Sequence, residues 1–365
     1  MKLRWFPALA SVLALAACGG GQAAPASPAP ASTAAAPSQA APASSVAKPA
    51  ASGSAAAKPA AGASGGTKLV VSYGELVPQS VPIFLASDAG LYQKNGLDVD
   101  MRLIVSSAEM AALVAGEVQI ASAAGSQVVN AEGNGADLVV TAAVAGLSPF
   151  RMYVQKDIKT FADLKGKSVG ISRFGSPSEV AIRVALKKNN LTDKDVRIVE
   201  VGSTQARTAA LIQGTIAGGM ANPLEAAALE KAGLHSIYDL AKEKTPSAQS
   251  AIMAKRDWLS GHRDVMQHYV DAVTEAIARV RADKPYTIGV MKHWFKTDDE
   301  QLMGSVYDAY TSTGLWPLPP YVTPEMFQDD KEAATDPKIK NLDMTKIIDS
   351  SFVKSAADRG LDKAS

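Results

Sequence analysis

The pattern of apolar and polar positions after residue 67 predicts an α/β protein. Short apolar or alternating runs indicate strands, and stretches with helical spacing lie between most of them. The predicted strands are residues 68–72, 98–105, 119–124, 137–144, 151–155, 168–172, 196–201 and 217–221. Strands that alternate with helices favour mainly parallel sheets whose faces are covered by helices.

The predicted elements occur twice, at an offset of about 100 residues. In the first half, a Ser-x-x-Glu capping box at 106–109 opens a helix that stops at Gly116. In the second half, Ser203 or Thr204 opens a helix that stops at Gly214. This duplication predicts two lobes that face each other, with a ligand cleft between them at the carboxyl ends of the strands.

The duplication also sets the expected domain boundaries. We expect a first lobe, a second lobe, and a segment that returns to the first lobe and ends in helices, at residues 68–150, 151–249 and 250–365. Ligands are expected at the loops that follow the paired strands, which are residues 73–80, 122–127, 173–176 and 221–225.

The N-terminus has the features of a secretory signal peptide over residues 1–17. Lys2 and Arg4 precede an apolar run of about a dozen residues, whereas a membrane-spanning helix needs roughly 20. Cys18 follows Leu-Ala-Ala and is the only cysteine, so an intrachain disulfide is excluded. This short sequence resembles a bacterial lipobox, whose cysteine receives lipid. The resemblance implies a protein that is secreted across the cytoplasmic membrane and anchored by lipid, on the outer face of the membrane or in the periplasm.

Residues 18–67 are expected to form a disordered tether between this lipid and the folded domain. The segment consists almost wholly of Ala, Pro, Ser and Gly. Such a composition supplies too little large apolar surface to offset the entropy that ordering would cost.

Composition and charge exclude several classes of function. Lys and Arg number 37 against 36 Asp and Glu, a net charge of +1, and no basic patch interleaved with aromatic residues indicates a nucleic-acid partner. The 4 histidines show no metal-ligand spacing, and no Gly-x-Ser-x-Gly elbow is present. We therefore expect no metal, no cofactor and no catalytic residue.

One stretch of the first half resembles the signature of a known family. Residues 86–99 read Ala-x-Asp-x-Gly-Leu-Tyr-x-x-x-Gly-Leu-x-Val. This resembles the solute-binding proteins of ATP-binding-cassette importers for nitrate, sulfonates, taurine and the thiamine pyrimidine precursor. In the second half, residues 161–170 and the stretch 211–214 leading to Pro223 continue the resemblance. The chain departs from the family pattern at Gln119 and Ala217, where members often carry an acidic residue.

The resemblance implies the two-lobed periplasmic-binding-protein type 2 fold, with the ligand held in the cleft between the lobes. It also implies an importer's permease subunits as partners. The family includes a fungal pyrimidine synthase that uses histidine and a cysteine-rich loop, but this chain lacks such a loop.

Seven residues in or near the cleft loops are candidate ligand contacts: Tyr73, Ser122, Ser126, Arg151, Arg173, Ser176 and Asn222. Either arginine can hold a carboxylate or sulfonate with two hydrogen bonds, although most arginines are solvated surface residues. Tyr73 can stack on a flat ligand. Asn222 offers a donor and an acceptor on the turn before Pro223.

Ser176 has two possible roles that the sequence leaves open. With Pro177 and Glu179 it forms a predicted capping box at a helix start, and helix starts beside a cleft bind anions. However, Pro177 has no N–H group and Glu179 brings negative charge. Ser176 can therefore contact a ligand or simply cap its helix.

The sequence thus predicts a lipid-anchored, monomeric solute-binding protein rather than an enzyme. Closure of its lobes around a sulfonate, a carboxylate or a pyrimidine-like molecule would precede delivery to the importer. A sensor that presents its ligand to a membrane receptor is an alternative, as is an enzyme of the same fold. The identity and charge of the ligand remain open, as does the presence of an outer membrane.

Overall fold

The computed structural model describes residues 66–363. The predicted signal peptide, the lipidation site at Cys18 and all but the last two residues of the predicted tether lie outside this range. Among the described residues, no helix is both long enough and apolar enough to cross a membrane.

The described residues form strands and α-helices that alternate through most of the chain. The strands are β1 (Thr67–Tyr73), β2 (Leu97–Leu103), β3 (Ile120–Ala123), β4 (Leu138–Leu147), β5 (Arg151–Val154), β6 (Ser168–Ile171), β7 (Arg197–Glu200), β8 (Gly218–Ala221), β9 (His235–Asp239) and β10 (Pro246–Lys255). The helices are α1 (Val81–Asp88), α2 (Leu91–Lys94), α3 (Ser106–Ala115), α4 (Gly125–Gly133), α5 (Pro177–Lys188), α6 (Thr204–Ile212), α7 (Pro223–Lys231), α8 (Arg256–Gly261), α9 (Arg263–Ala282), α10 (Lys284–Phe295), α11 (Glu300–Thr313), α12 (Gln328–Ala333), α13 (Pro337–Lys340) and α14 (Ser351–Asp358).

The strands form two five-stranded sheets with equivalent topology. The first sheet has the order β2-β1-β3-β10-β4, and the second has the order β7-β6-β8-β5-β9. Strands β1, β2 and β3 of the first sheet therefore correspond to β6, β7 and β8 of the second. The structure confirms the duplicated α/β unit that the sequence predicts.

The expectation of mainly parallel sheets is confirmed, because four of the five strands in each sheet run in the same direction and only one runs against them. Strand β1 pairs in parallel with β2 and β3, and β6 does so with β7 and β8. Strand β10 is antiparallel to both of its neighbours, and so is β5. The parallel strands are joined through helices that cover the sheet, whereas β5 and β10 arrive directly from the other sheet. No helical crossover imposes a parallel direction on them.

The chain passes between the sheets twice, through residues 148–150 and 240–245, and the two passages are hydrogen-bonded to each other. Ser148 N donates to Thr245 O at 3.0 Å, and Leu240 N donates to Phe150 O at 3.0 Å. Strand β10 begins at Pro246, so the expected boundary between 249 and 250 falls inside this strand.

Helix α9 covers the first sheet with the apolar face that the sequence indicates. Tyr269, Val273, Ile277 and Val280 are all fully buried. Tyr92, from the signature stretch 86–99, stacks on Tyr269 with ring centroids 5.2 Å apart. The tyrosine of this signature therefore has a structural role in the core beneath α9.

Candidate functional site

A cleft lies between the two sheets, and it contains a chamber of about 60 Å³, here called the inner chamber. Its wall includes residues from the first turn or the N-cap of four helices: Ser80 at α1, Ala124 at α4, Ser176 at α5 and Thr204 at α6. Helix N-termini carry partial positive charge and backbone N–H groups that lack partners within the helix. Their convergence makes the chamber suited to a negatively charged group.

The first sheet contributes serine hydroxyls and a fixed glutamine to the wall. Ser250 lies between two of these serines, with its Oγ 2.7 Å from Ser122 Oγ and 3.3 Å from Ser80 Oγ. Gln79 is held by the C-terminal part of the chain. Tyr310 donates its hydroxyl to Gln79 Oε1 at 3.0 Å, and Trp316 donates its ring N–H to Gln79 O at 3.2 Å.

A buried carboxyl group lies behind this wall. Ser72 Oγ donates to Glu109 Oε1 at 3.1 Å, and Gln127 Nε2 donates to Glu109 Oε2 at 3.4 Å. Burial raises the pKa of Glu109 to about 8, against the opposing effect of these two hydrogen bonds. The capping box predicted at 106–109 is wrong, because Val105 occupies the N-cap position and Glu109 turns into the interior.

The second half of the chain contributes a buried arginine, which lies on helix α6. Arg207 is 1% exposed and donates through Nη1 to Ser172 Oγ at 2.6 Å and through Nε to the carbonyl of Met220. Burial lowers the pKa of Arg207, while the nearby Glu225 and Glu75 oppose this effect. An arginine remains protonated in proteins, so it supplies a fixed positive charge at the chamber.

Two glutamates moderate that positive charge. Burial raises the pKa of Glu225 to about 7, although its Oε2 accepts a hydrogen bond from Asn222 N at 2.9 Å. Partial desolvation also raises the pKa of Glu75, and the positive Arg207 and Arg173 oppose the shift. The wall of the inner chamber therefore holds two arginines and Glu75, while Glu225 lies near Arg207 outside that wall, and burial disfavours the ionised form of both glutamates.

Family comparison agrees with this architecture. The family model described as "NMT1/THI5 like" matches residues 77–285, which is more than half of the chain. The chain belongs to the NMT1/THI5-like family. A relative from Brucella abortus (strain 2308) is 25% identical over 223 residues, which cover 60% of this chain and 68% of the relative.

Solved structures share the fold of this NMT1/THI5-like protein. The periplasmic aliphatic sulphonate-binding protein SsuA of Escherichia coli is 22% identical with a TM-score of 0.60, covering 73% of this chain and 85% of SsuA. The periplasmic nitrate-binding protein NrtA of Synechocystis PCC 6803 is 14% identical with a TM-score of 0.61, covering 80% of this chain and 89% of NrtA. The protein thus has the periplasmic binding protein fold that its sequence predicts.

Three of the seven predicted ligand contacts lie on the wall of the inner chamber: Ser122, Arg173 and Ser176. Ser176 occupies the N-cap position of α5, but its hydroxyl lies 2.9 Å from Ser178 Oγ and makes no capping hydrogen bond. The full capping box is therefore a wrong prediction. Glu179 instead accepts a hydrogen bond from Gly175 N at 2.5 Å and pairs with Arg183.

The other four predicted contacts are not on this wall. Tyr73 is in the core, where its ring packs edge-on against Phe84 at 5.2 Å between centroids. Arg151 pairs with Asp239 on the adjacent strand, with Nε 2.8 Å from Oδ2. Ser126 is buried within the first turn of α4. Asn222 caps α7 by accepting a hydrogen bond from Leu224 N at 2.9 Å.

The wall also holds residues that the sequence reasoning did not single out. Glu75 and Gln79 lie within the loop 73–80, which was expected at the cleft because it follows the carboxyl end of a strand. That expectation locates the loop, but it does not say which residues of the loop line the chamber. Arg207 is the fourth residue of α6, where the duplicate helix α3 has Glu109. The sequence signal that could have identified Arg207 is a charged residue at matching positions of two alanine-rich helices.

Within residues 66–363, no group of three or more His, Cys, Asp or Glu side chains could hold a metal ion.

Proposed function

We propose that the protein is the extracytoplasmic solute-binding component of an ATP-binding-cassette importer and that it captures a small organic anion. The observation that carries the proposal is the convergence of helix N-termini and Arg173 on a small polar chamber between two sheets. The names of SsuA and NrtA, which share the fold, also describe proteins that bind anions.

Charge in the chamber favours an anion with a compact head. Arg207 is fixed in place by Ser172 and Met220, so its charge acts at short range without needing a direct contact. Arg173 lies on the wall itself. Burial raises the pKa of Glu75 and of Glu225, which reduces the negative charge that opposes the two arginines.

The mechanism of capture is closure of the two sheets around the ligand. The two passages between the sheets lie side by side and are tied together by backbone hydrogen bonds. Such a paired crossing acts as a hinge that absorbs rotation while the sheets remain rigid. The ligand contacts residues of both sheets, so it favours the closed form, which the importer's permease would recognise.

Lipid attachment at Cys18 is part of the proposal and is supported by the sequence alone. The Cys18→Ala variant is expected to move from the membrane fraction to the soluble fraction. Retention of this variant on the membrane would contradict lipid anchoring without affecting the binding proposal.

A thermal-shift screen with the full chain tests the binding function. The panel contains alkanesulfonates, taurine, nitrate, carboxylates and aminopyrimidines, and a compound that binds only the folded state raises the melting temperature by mass action. We expect a shift with a sulfonate or a carboxylate. The absence of any shift with an anion would contradict the proposal, and a shift with aminopyrimidines alone would contradict the anion assignment.

The role of Arg173 is tested by comparing Arg173→Gln with the control Arg197→Gln. Arg197 lies on strand β7, donates to Ser168 and is not among the residues of the inner chamber. Loss of a charge-assisted hydrogen bond is expected to weaken anion binding about 10- to 100-fold in the first variant only. Equal losses in both variants would show that general surface charge, rather than the chamber, attracts the anion.

A further inference from the structure

A second cavity of about 450 Å³, here called the outer chamber, opens beside the inner chamber. The two chambers share six wall residues, which are Gly74, Glu75, Val77, Ser172, Arg173 and Thr204. The two chambers are therefore adjacent, and we expect a molecule whose charged head lies in the inner chamber to extend towards the outer one. The shared wall contains Arg173, so the anionic head and the rest of the same molecule would meet at this residue.

The outer chamber differs from the inner one in its chemistry, because large aliphatic side chains line it. Leu103, at the end of β2, is 56% exposed, and Val105, just before α3, is 64% exposed. Leu76 and Leu224 contribute further apolar surface, and Leu224 belongs to α7 of the second half. The apolar wall is thus assembled from both halves of the chain.

The exposure of Leu103 and Val105 is costly unless something covers them. Burying a Leu or Val side chain is favourable relative to leaving it in water. Both residues line a cavity that borders the polar chamber, so a ligand that extends into this cavity would cover them.

We propose that the ligand is an amphiphilic organic anion whose aliphatic or aromatic chain occupies the outer chamber against Leu103 and Val105. The inference rests on the proposed anion-binding function. It adds an apolar chain to the ligand, and this chain distinguishes the ligand from small inorganic anions and from small zwitterions. The inner chamber holds the head group, and the outer chamber selects for the apolar chain.

A homologous series of ligands tests the proposal. Binding of straight-chain alkanesulfonates and alkanecarboxylates, from one to eight carbons, is measured by calorimetry with the full chain. Each methylene that enters an apolar chamber contributes about 0.8 kcal/mol, which is about fourfold in affinity. We expect affinity to rise about fourfold per carbon until the chain fills the chamber, and then to level off.

A pair of variants assigns that gain to the outer chamber. The Leu103→Ser/Val105→Ser double variant is expected to bind hexanesulfonate at least tenfold more weakly and methanesulfonate within twofold of the wild type. The control is Val114→Ser, since Val114 is 41% exposed but lies on α3 and is absent from the walls of both chambers. This control is expected to leave the whole series unchanged.

The outcomes separate this inference from the function on which it rests. If no anion binds at any chain length, the anion-binding function itself fails. If short anions bind as tightly as long ones, the binding function stands and the role of the outer chamber is overturned. Unchanged binding of the series by the double variant, together with loss of import, would assign Leu103 and Val105 to a partner surface and would also overturn the inference.

Discussion

The two halves of the protein place opposite charges at equivalent positions. In the first half, Ser72 donates a hydrogen bond to Glu109, the fourth residue of α3. In the second half, Ser172 accepts a hydrogen bond from Arg207, the fourth residue of α6. A serine hydroxyl is both donor and acceptor, so the same backbone unit accommodates a carboxyl group or a guanidinium.

This difference makes the cleft electrostatically asymmetric. Arg207 carries a permanent positive charge, whereas the pKa of Glu109 near 8 keeps its carboxyl group neutral over most of the physiological range. The second half therefore supplies fixed charge for an anion, and the first half supplies neutral hydroxyl and amide groups. The two halves share the same arrangement of strand and helix, and the residue at the fourth position of α3 or α6 determines the charge at that place.

Removal of the buried arginine is expected to have the largest effect on stability. The Arg207→Met variant keeps much of the side-chain volume but leaves Ser172 Oγ and the carbonyl of Met220 without their donor. We expect a loss of about 4 kcal/mol in the free energy of unfolding, measured by urea denaturation. The exposed Arg197→Met control should change stability by less than about 0.5 kcal/mol. Comparable losses in both variants would contradict the buried role of Arg207.

Replacement of the buried carboxyl group should change the pH dependence of stability. Glu109 has a folded pKa of about 8 against its ordinary value of 4.5, so between these values the folded state binds more protons than the unfolded state. The contribution of Glu109 to the free energy of unfolding is therefore complete below about pH 4.5. It is lost as the pH rises to 8, by at most about 1.4 kcal/mol per pH unit.

The Glu109→Gln variant cannot ionise, so it should lack this slope. Urea denaturation at pH 5, 6, 7 and 8 is expected to show the variant gaining stability relative to the wild type as the pH rises. A constant difference between the two proteins across this range would show that Glu109 is ionised in the folded state.

The two serines provide the smallest and most direct comparison. Ser172→Ala removes a partner of a charged guanidinium, and Ser72→Ala removes a partner of a neutral carboxyl group. Charge-assisted hydrogen bonds are about twice as strong as neutral ones, so we expect losses of about 2 and about 1 kcal/mol respectively at pH 6. Equal losses would mean that the charge difference between the halves has no energetic consequence at these serines.

The sequence predicts the fold of this protein better than its site. Periodicity and the duplicated order of elements locate β1 to β8, because apolar strands and helix-ending glycines are local signals. Strands β9 and β10 were not predicted. The return of the chain to the first lobe was predicted from residue 250 onwards. The place of β10 between β3 and β4 in the first sheet was not, because long-range strand pairing decides it.

The site is harder to predict because a polar residue near a strand end has several possible partners. Ser122, Arg173 and Ser176 lie on the chamber wall, whereas Arg151 pairs with its cross-strand neighbour Asp239. Tyr73 was a candidate because its ring could stack on a flat ligand, yet the ring is part of the aromatic core. Local sequence gives the position along the strand but not the tertiary contact that uses the side chain.

The anchoring of Gln79 has a consequence for how this protein diversifies. The match to the family model ends at residue 285. Tyr310 and Trp316, which hold Gln79 at the chamber wall, lie beyond that match. A substitution at either position would shift a wall residue without altering any residue within the matched range. The C-terminal segment is therefore a place where evolution can retune ligand preference while the shared scaffold stays unchanged.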